Sequence, residues 1–579
     1  MKRLTKYLAG RKLAVMLMIL IGTGNAAAQT GGWLIVRNAI DNGIIAKNTR
    51  YLAISVVVYL VVAAAGWILQ GWLIRGLATI GQAIVIGLRR DLFDHLTGLS
   101  LRYFSQQKAG WIIARLTSDV DAVSDTLSQG MPTLVSNVIL LPGAVAALFI
   151  VDWRLGLITL IVLPPAIIVT VWFQRKSHPA NVEQRNRIGA LTAQIAESVA
   201  GMAVVQAFNR ERRFQQEFDE LNAANRTQAT YVQKIFSVFF PSIEFLGVIA
   251  MVAVIALGSH LYAGGAGTLT IGTLIAATGL LQLVFQPLQE LSDVYGQLQS
   301  AGAAMVKIAS ILDEEPEVHD KPGAVELPRI EGDLDLDSIV FAYGKEPVLH
   351  GVSFRLSPGQ CFALVGESGH GKSTLAKLIG RHYDPDQGAV RVDGHDLRDV
   401  QLRAYRRQLG VVLQDPFLFS GTIASNIRFA KPDATDEEVA AAAAAVGVDR
   451  VAARLSGGLD HEVREGGAGL SSGERQLISI ARALLADPRI LVLDEATSNI
   501  DRPTEVLIER ALDRLLKGRT SIIIAHRLST VRRADQILVV ENGQIVQRGN
   551  ERELLTQDGP FRRLAHHLEG GEPELAVAG

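Results

Sequence analysis

The chain has 579 residues, more than one ordinary domain holds, and 49% of them are hydrophobic, with a mean hydropathy of +0.23; this excludes a small soluble domain and points to a membrane-embedded portion. A formal net charge of −1 and a pI near 6.9 leave no bulk basic surface for a nucleic-acid backbone, so nucleic acid is not an expected partner. The one cysteine, Cys361, excludes an intrachain disulfide and a thiolate metal cluster, and its apolar setting marks it as a small buried residue.

The apolar surplus lies in roughly the first half. Six stretches there are long enough to cross a bilayer core, roughly 13–36, 51–74, 131–151, 155–173, 235–257 and 269–286. Only Asp152, Trp153 and Arg154 separate the third from the fourth, which predicts a tight helical hairpin. Long polar connections follow the second and the fourth spans. They carry Arg89, Arg90, Arg102, Lys108 and Arg115, then Arg175, Lys176, Arg185, Arg187, Arg210, Arg212 and Arg213, whereas the opposite side offers far fewer, Lys47, Arg50 and Arg154 among them. That asymmetry places the long connections in the cytoplasm. With the basic start MKRLTKYLAGRK it places both termini inside. The same start also fits a cleaved secretory signal with an Ala-x-Ala site around Ala26 to Ala28, which would leave five spans and the same side for the C-terminus.

Polar residues inside the spans mark a transport path or a hydrogen bond between packed helices. Glu244, beside Pro241, is the one acid among them; the amides Asn25, Gln29, Asn137, Gln282 and Gln286 are weaker candidates.

Residues 1–312 thus read as an all-α membrane domain, and 313–330, acidic and marked by proline, as a linker. A second domain is expected over 331–567, with a disordered tail at 568–579. It opens with strand patterns DLDLDSIVFAY, GVSFRL and CFALV. The next stretch, Gly366, Glu367, Ser368, Gly369, His370, Gly371, Lys372, Ser373 and Thr374, fits G-x-x-x-x-G-K-[ST] between a strand and a helix. Its glycines let backbone N–H groups curl round phosphate, Lys372 sets a charge on the β and γ phosphates, and Ser373 offers an oxygen to Mg²⁺. His370 fills a variable position and takes no role of its own. Farther on, RILVLDE delivers two acids at a strand end: Asp494 for Mg²⁺ and Glu495 as general base. SIIIAHR puts His526 at the end of another apolar strand, where an imidazole can reach the γ-phosphate, although a lone histidine at a strand end is more often structural. The alanine-rich run after ATDEE reads as an N-capped helix without chemistry.

These motifs resemble the ATP-binding cassette (ABC) transporters, in particular exporter-type half-transporters with one six-span membrane domain ahead of one nucleotide-binding domain, and the resemblance covers nearly the whole chain. It implies an all-α six-helix membrane domain followed by an α/β P-loop NTPase domain with a helical subdomain. It also implies that Tyr343 stacks on adenine, that Gln414 joins Ser373 and Asp494 around Mg²⁺, and that LSSGE is the signature motif. Ser498 and Asp501 would link the two nucleotide sites, and His526 would be the switch histidine. TGLSLRYFSQQKAGWIIARLTSDV and ESVAGMAVVQAFNRE are similar to the family's two coupling loops. In such transporters the signature serves a partner's nucleotide, so Ser471, Ser472, Gly473 and Glu474 would close over ATP held by the 366–374 loop of a second half-transporter, in a homodimer or a heterodimer. The usual signature is LSGGQ; Ser472 and Glu474 depart from it. The implied activity is ATP-driven export of hydrophobic or amphipathic compounds, drugs or lipids, across a bacterial inner membrane, with ATP and Mg²⁺ as cofactors. An importer of a siderophore-like molecule on the same fold, and a channel-like protein gated by ATP, are the alternatives.

Overall fold

The computed structural model describes residues 9–263, 269–494, 501–525 and 527–568. The chain divides into two compact units, one of Met1–Gly98 with Gln107–Glu314, the other of Leu99–Gln106 with Glu315–Gly579.

The membrane unit is helical. Among the described residues six long apolar helices run over Lys12–Ile45, Thr49–Gly98, Ala109–Val151, Trp153–Ala200, Glu211–Tyr262 and Ile271–Leu312. At about 1.5 Å per residue, the longer ones reach more than twice the roughly 30 Å of a hydrocarbon core, so their apolar middles are the spans and their polar ends run on beyond it. The hairpin between the third and fourth helices is made by Asp152, whose extended backbone stops one helix while its Oδ1 accepts the Arg154 N–H at 2.8 Å to cap the next. The sixth helix starts in the same way: Thr270 accepts the Thr273 N–H at 3.1 Å, and Asp41 of the first helix accepts the Gly272 N–H at 2.9 Å. The first and sixth helices approach closely at Gly279, where a Cβ would lie 2.3 Å from the Trp33 ring. Small residues permit such approaches in lipid, where apolar burial gives no driving force between helices. Phe173 of the fourth helix stacks on Phe239 of the fifth at 4.0 Å between ring centres.

The second unit holds an antiparallel sheet in the order Pro347–Leu356, Leu334–Ala342, Gln387–Val392, His395–Asp396. A six-stranded sheet follows the order Gln544–Gly549, Gln536–Glu541, Cys361–Val365, Thr520–Ile524, Ile490–Asp494, Leu409–Val412, parallel except at the Gln544–Gly549 edge. Cys361–Val365 and Thr520–Ile524 are buried along their whole length, as strands covered on both faces must be. A helical part carries Ile423–Arg428, Asp436–Val446, Val448–Ala452 and Ser472–Leu485. Asp436–Val446 begins at a capping box between Thr435 and Glu438 and ends at Gly447, held at φ +87°.

Candidate functional site

Five parallel strands bring their carboxyl ends to one edge of the six-stranded sheet, where ligands of open α/β sheets bind, and four of them lead to residues of the expected nucleotide site. Cys361–Val365 leads into the glycine loop, Ile490–Asp494 ends on its aspartate, Thr520–Ile524 ends two residues before His526, and Leu409–Val412 ends two residues before Gln414. Glu495, Ser498 and His526 lie outside the described residues, as does the 569–579 tail.

The loop is built to expose backbone. A Cβ on Gly366, at φ +152°, would meet the Val540 carbonyl oxygen at 2.2 Å, and one on Gly371, at φ +99°, would meet Leu349 at 2.7 Å. Lys372 is 5% exposed and opens the helix Lys372–Ile379, whose first N–H groups have no partner within the helix. Its Nζ donates to the carbonyls of Gly366 and Glu367, both at 2.7 Å, so one of its three hydrogens remains for an anion. Burial lowers the Lys372 pKa, while the nearby Asp494 and Glu367 carboxylates oppose the shift and favour the ammonium. Ser373 is exposed at the helix start. A backbone cradle, an ammonium, a hydroxyl and a carboxylate form a donor set that fits a nucleotide triphosphate with Mg²⁺.

Tyr343 follows the strand Leu334–Ala342; its hydroxyl donates to Thr374 Oγ1 at 3.2 Å, and its ring meets Phe341 and Tyr383 edge-on at 5.0 and 5.3 Å. Ser471 caps the helix Ser472–Leu485 in a reciprocal box. Its Oγ accepts the Glu474 N–H at 3.2 Å, and its own N–H donates to Glu474 Oε2 at 2.9 Å. The other carboxylate oxygen of Glu474 pairs with Arg454 at 3.1 Å. Asp501 caps the helix Arg502–Leu516, accepting the Thr504 N–H at 3.1 Å, and that bond and the one from the Thr504 hydroxyl hold its carboxyl below the usual range.

Residues 15–288 match the family described as ABC transporter transmembrane region, and residues 349–498 the family described as ABC transporter. The ABC transporter ATP-binding protein YfiC of Bacillus subtilis is 37% identical over 97% of this chain and 93% of its own. The chain belongs to the ABC transporter family. An ATP-dependent lipid A-core flippase of Syntrophus aciditrophicus is 35% identical over 93% of this ABC transporter and 90% of its own length. A bacterial Atm1-family ABC exporter solved with ATP bound superimposes with a TM-score of 0.81 at 28% identity, over 98% of this chain and 99% of that one. The protein is an ATP-hydrolysing membrane transporter of the exporter fold.

In the membrane unit of this ABC transporter the polar residues separate into three groups. Asn25 is buried and donates to Gln70 Oε1 at 2.6 Å, and with Gln29 it lines a cavity of about 370 Å³ walled by Trp33, Tyr59 and Trp67. Gln282 and Gln286 are exposed, four residues apart on the sixth helix, and Gln286 donates to Glu290 at 2.9 Å. Asn137 of the third helix, 4% exposed, donates to the other oxygen of Glu290 at 2.8 Å. Glu244 is exposed on this unit. Sequence reasoning passed over Glu290, Gln70 and Arg454. Glu290 lies one turn beyond the sixth apolar run, on the face of Gln282 and Gln286, and that i, i+4 spacing was the available signal.

Proposed function

We propose that two copies of this half-transporter, or one copy and a related chain, export amphipathic, lipid-like or drug-like compounds. The phosphate loop of each then faces the signature helix of the other. The observation that carries this reading is the capping box at Ser471 and Glu474. The Glu474 carboxylate is turned onto the Ser471 N–H and Arg454, so its charge is answered within the turn, and the Ser471 hydroxyl keeps its hydrogen to donate. Despite the glutamate, the start of the signature helix remains a receptive site for phosphate.

In this reading the 366–374 backbone and Lys372 hold the β and γ phosphates, and Tyr343 supports the adenine. Ser373, Gln414 and Asp494 hold Mg²⁺, which when bound neutralises charge on the phosphates. Glu495 accepts the proton of the attacking water and His526 reaches the γ-phosphate, while Ser498 and Asp501 join the two sites. ATP favours the closed pair because only that state contacts it from both sides; hydrolysis removes the difference and the pair reopens. The amides and aromatic rings around Asn25 and Gln29 suit a substrate with a polar head and an apolar body. The excess of Arg and Lys in the long connections supports a bacterial inner-membrane location with the N-terminus and the ATPase unit in the cytoplasm.

The test is steady-state Mg-ATP hydrolysis by this chain alone in lipid nanodiscs, beside Glu495→Gln. Turnover that falls about a thousandfold in the variant, with ATP binding retained, supports a working homodimer. A folded chain that binds ATP but does not hydrolyse it directs the reading to a heterodimer. Unchanged turnover in Glu495→Gln removes that residue from its role.

A further inference from the structure

Residues Leu99–Gln106 join the second and third membrane helices in sequence, yet they fold with the ATPase unit. There Arg102 lies against the strand that ends at Tyr343. Its Nη1 donates to the Tyr343 carbonyl at 3.0 Å and its Nη2 reaches the Ala342 carbonyl at 3.5 Å. Its Nε lies 2.7 Å from Oε2 of Glu317, just after the point where the chain enters this unit from the sixth helix. Ser100 Oγ accepts the Glu317 N–H at 3.2 Å, fastening the same two segments a second time. The guanidinium also sits 5.9 Å and 5.6 Å from the ring centres of Phe341 and Tyr383, the two rings that meet Tyr343 edge-on.

One side chain therefore touches the backbone of Tyr343, both of its aromatic supports and the segment arriving from the sixth helix. Only a planar fork with several donors can do all of this at once; a lysine is a single point charge. The pair with Glu317 is partly buried, with side-chain exposures of 26% and 40%, so it is less screened than an open surface pair.

We propose that Arg102 is the positioning residue for the adenine platform, and that nucleotide affinity depends through it on whether the segments at 99–106 and at Glu317 are both seated. These segments lead out of the second membrane helix and out of the sixth. Release of either one loosens the Tyr343 backbone and its ring supports and weakens base stacking, while the phosphate cradle at 366–374 is left intact. The inference rests on the reading of Tyr343 as the residue that stacks on adenine.

The experiment uses the full-length protein in nanodiscs and measures KM and kcat for ATP beside inhibition by Mg-tripolyphosphate, which lacks a base. In Arg102→Ala, KM for ATP is expected to rise about three- to tenfold, the scale of one lost aromatic contact, with kcat within about twofold and tripolyphosphate inhibition unchanged. Arg102→Lys, which keeps the charge facing Glu317 but not the fork, gives an intermediate KM. Tyr343→Ala raises KM by itself, and adding Arg102→Ala to it raises KM no further. Equal weakening of ATP and tripolyphosphate in Arg102→Ala, or fully multiplicative effects in the double variant, overturns the proposal. If Tyr343→Ala leaves KM unchanged, the stacking reading itself fails; if Tyr343→Ala raises KM and Arg102→Ala does not, only the positioning role fails. Should Arg102→Ala not fold, Glu317→Gln carries the same test: it keeps the arginine, removes its anchor, and is expected to shift KM for ATP in the same direction by less.

Discussion

The two units use the same apolar side chains under opposite rules. In the ATPase unit the strands Cys361–Val365 and Thr520–Ile524 are buried from end to end. In the membrane unit only 11% of the most apolar window of the second helix is buried, against 61% for the sixth. Water punishes exposed leucine and valine, so in the ATPase unit hydrophobicity tells where the core is. Lipid does not, so in the membrane unit hydrophobicity tells only that a helix crosses, and the inward faces are marked by small and polar residues such as Gly279, Asn25 and Asn137. A nucleotide site can therefore be read from local pattern, whereas a transport path depends on which helices meet.

The sharpest way to break that contrast is Lys372→Ala. If the ATPase site is local chemistry on a rigid scaffold, removing one preorganised cation should cut hydrolysis by at least about a hundredfold. The fold should be spared, because Lys372 is a buried ammonium whose pKa burial already depresses. Turnover and the thermal midpoint are the measurements. Hydrolysis retained above about a tenth of the wild-type rate would mean that this ammonium is not part of phosphate recognition.

The sequence made the fold class legible because each piece obeys a short-range rule. Six long apolar runs gave the membrane helices, and the strand–loop–helix context of the 366–374 stretch gave the nucleotide domain. Thr435, Glu438 and Gly447 stand where a helix start and stop require them. The signature was legible in a second sense that its family form obscured. As a departure from LSGGQ, Glu474 looked anomalous; as Ser471-x-x-Glu474 it is a capping box, and the side chains are bonded that way. The membrane polar set was less legible. Glu244 drew attention as an acid in an apolar run, yet it is exposed on its unit, whereas Glu290 is held by Asn137 from 153 positions away. No periodicity reports a pairing at that range. Arg102 was visible as a positive charge in a long polar connection similar to a coupling loop, but not as a support of Tyr343, because what distinguishes it is the strand and the linker segment it reaches.

A smaller effect sharpens the comparison on the ATPase side. Glu474→Ala opens the capping box and removes the partner of Arg454, and should cost about 1 kcal/mol in the stability of the ATPase unit, the usual worth of a helix cap. Glu474→Gln keeps the bond to the Ser471 N–H and should recover most of that loss, with hydrolysis close to that of the parent chain. If Glu474→Gln instead changed turnover severalfold while the thermal midpoint stayed fixed, the carboxylate would be acting on phosphate, not on its own helix.

The smallest expected effect lies in the membrane unit and tests the other half of the contrast. Asn137→Ala deletes a 2.8 Å hydrogen bond to Glu290 from a donor that is 4% exposed. In a water-soluble core, leaving a charged acceptor short of a partner costs about 1–3 kcal/mol or more. Hydrogen bonds between membrane helices average only about 0.6 kcal/mol, because the separated helices find other partners within the bilayer, and Gln286 still donates to the same carboxylate. Unfolding in mixed detergent micelles should therefore show Asn137→Ala less destabilised than Glu474→Ala, although the lost bond is shorter and deeper. A loss of about 3 kcal/mol would reverse the order, and Glu290 would then behave as a buried charge in a protein interior that depends on each of its donors.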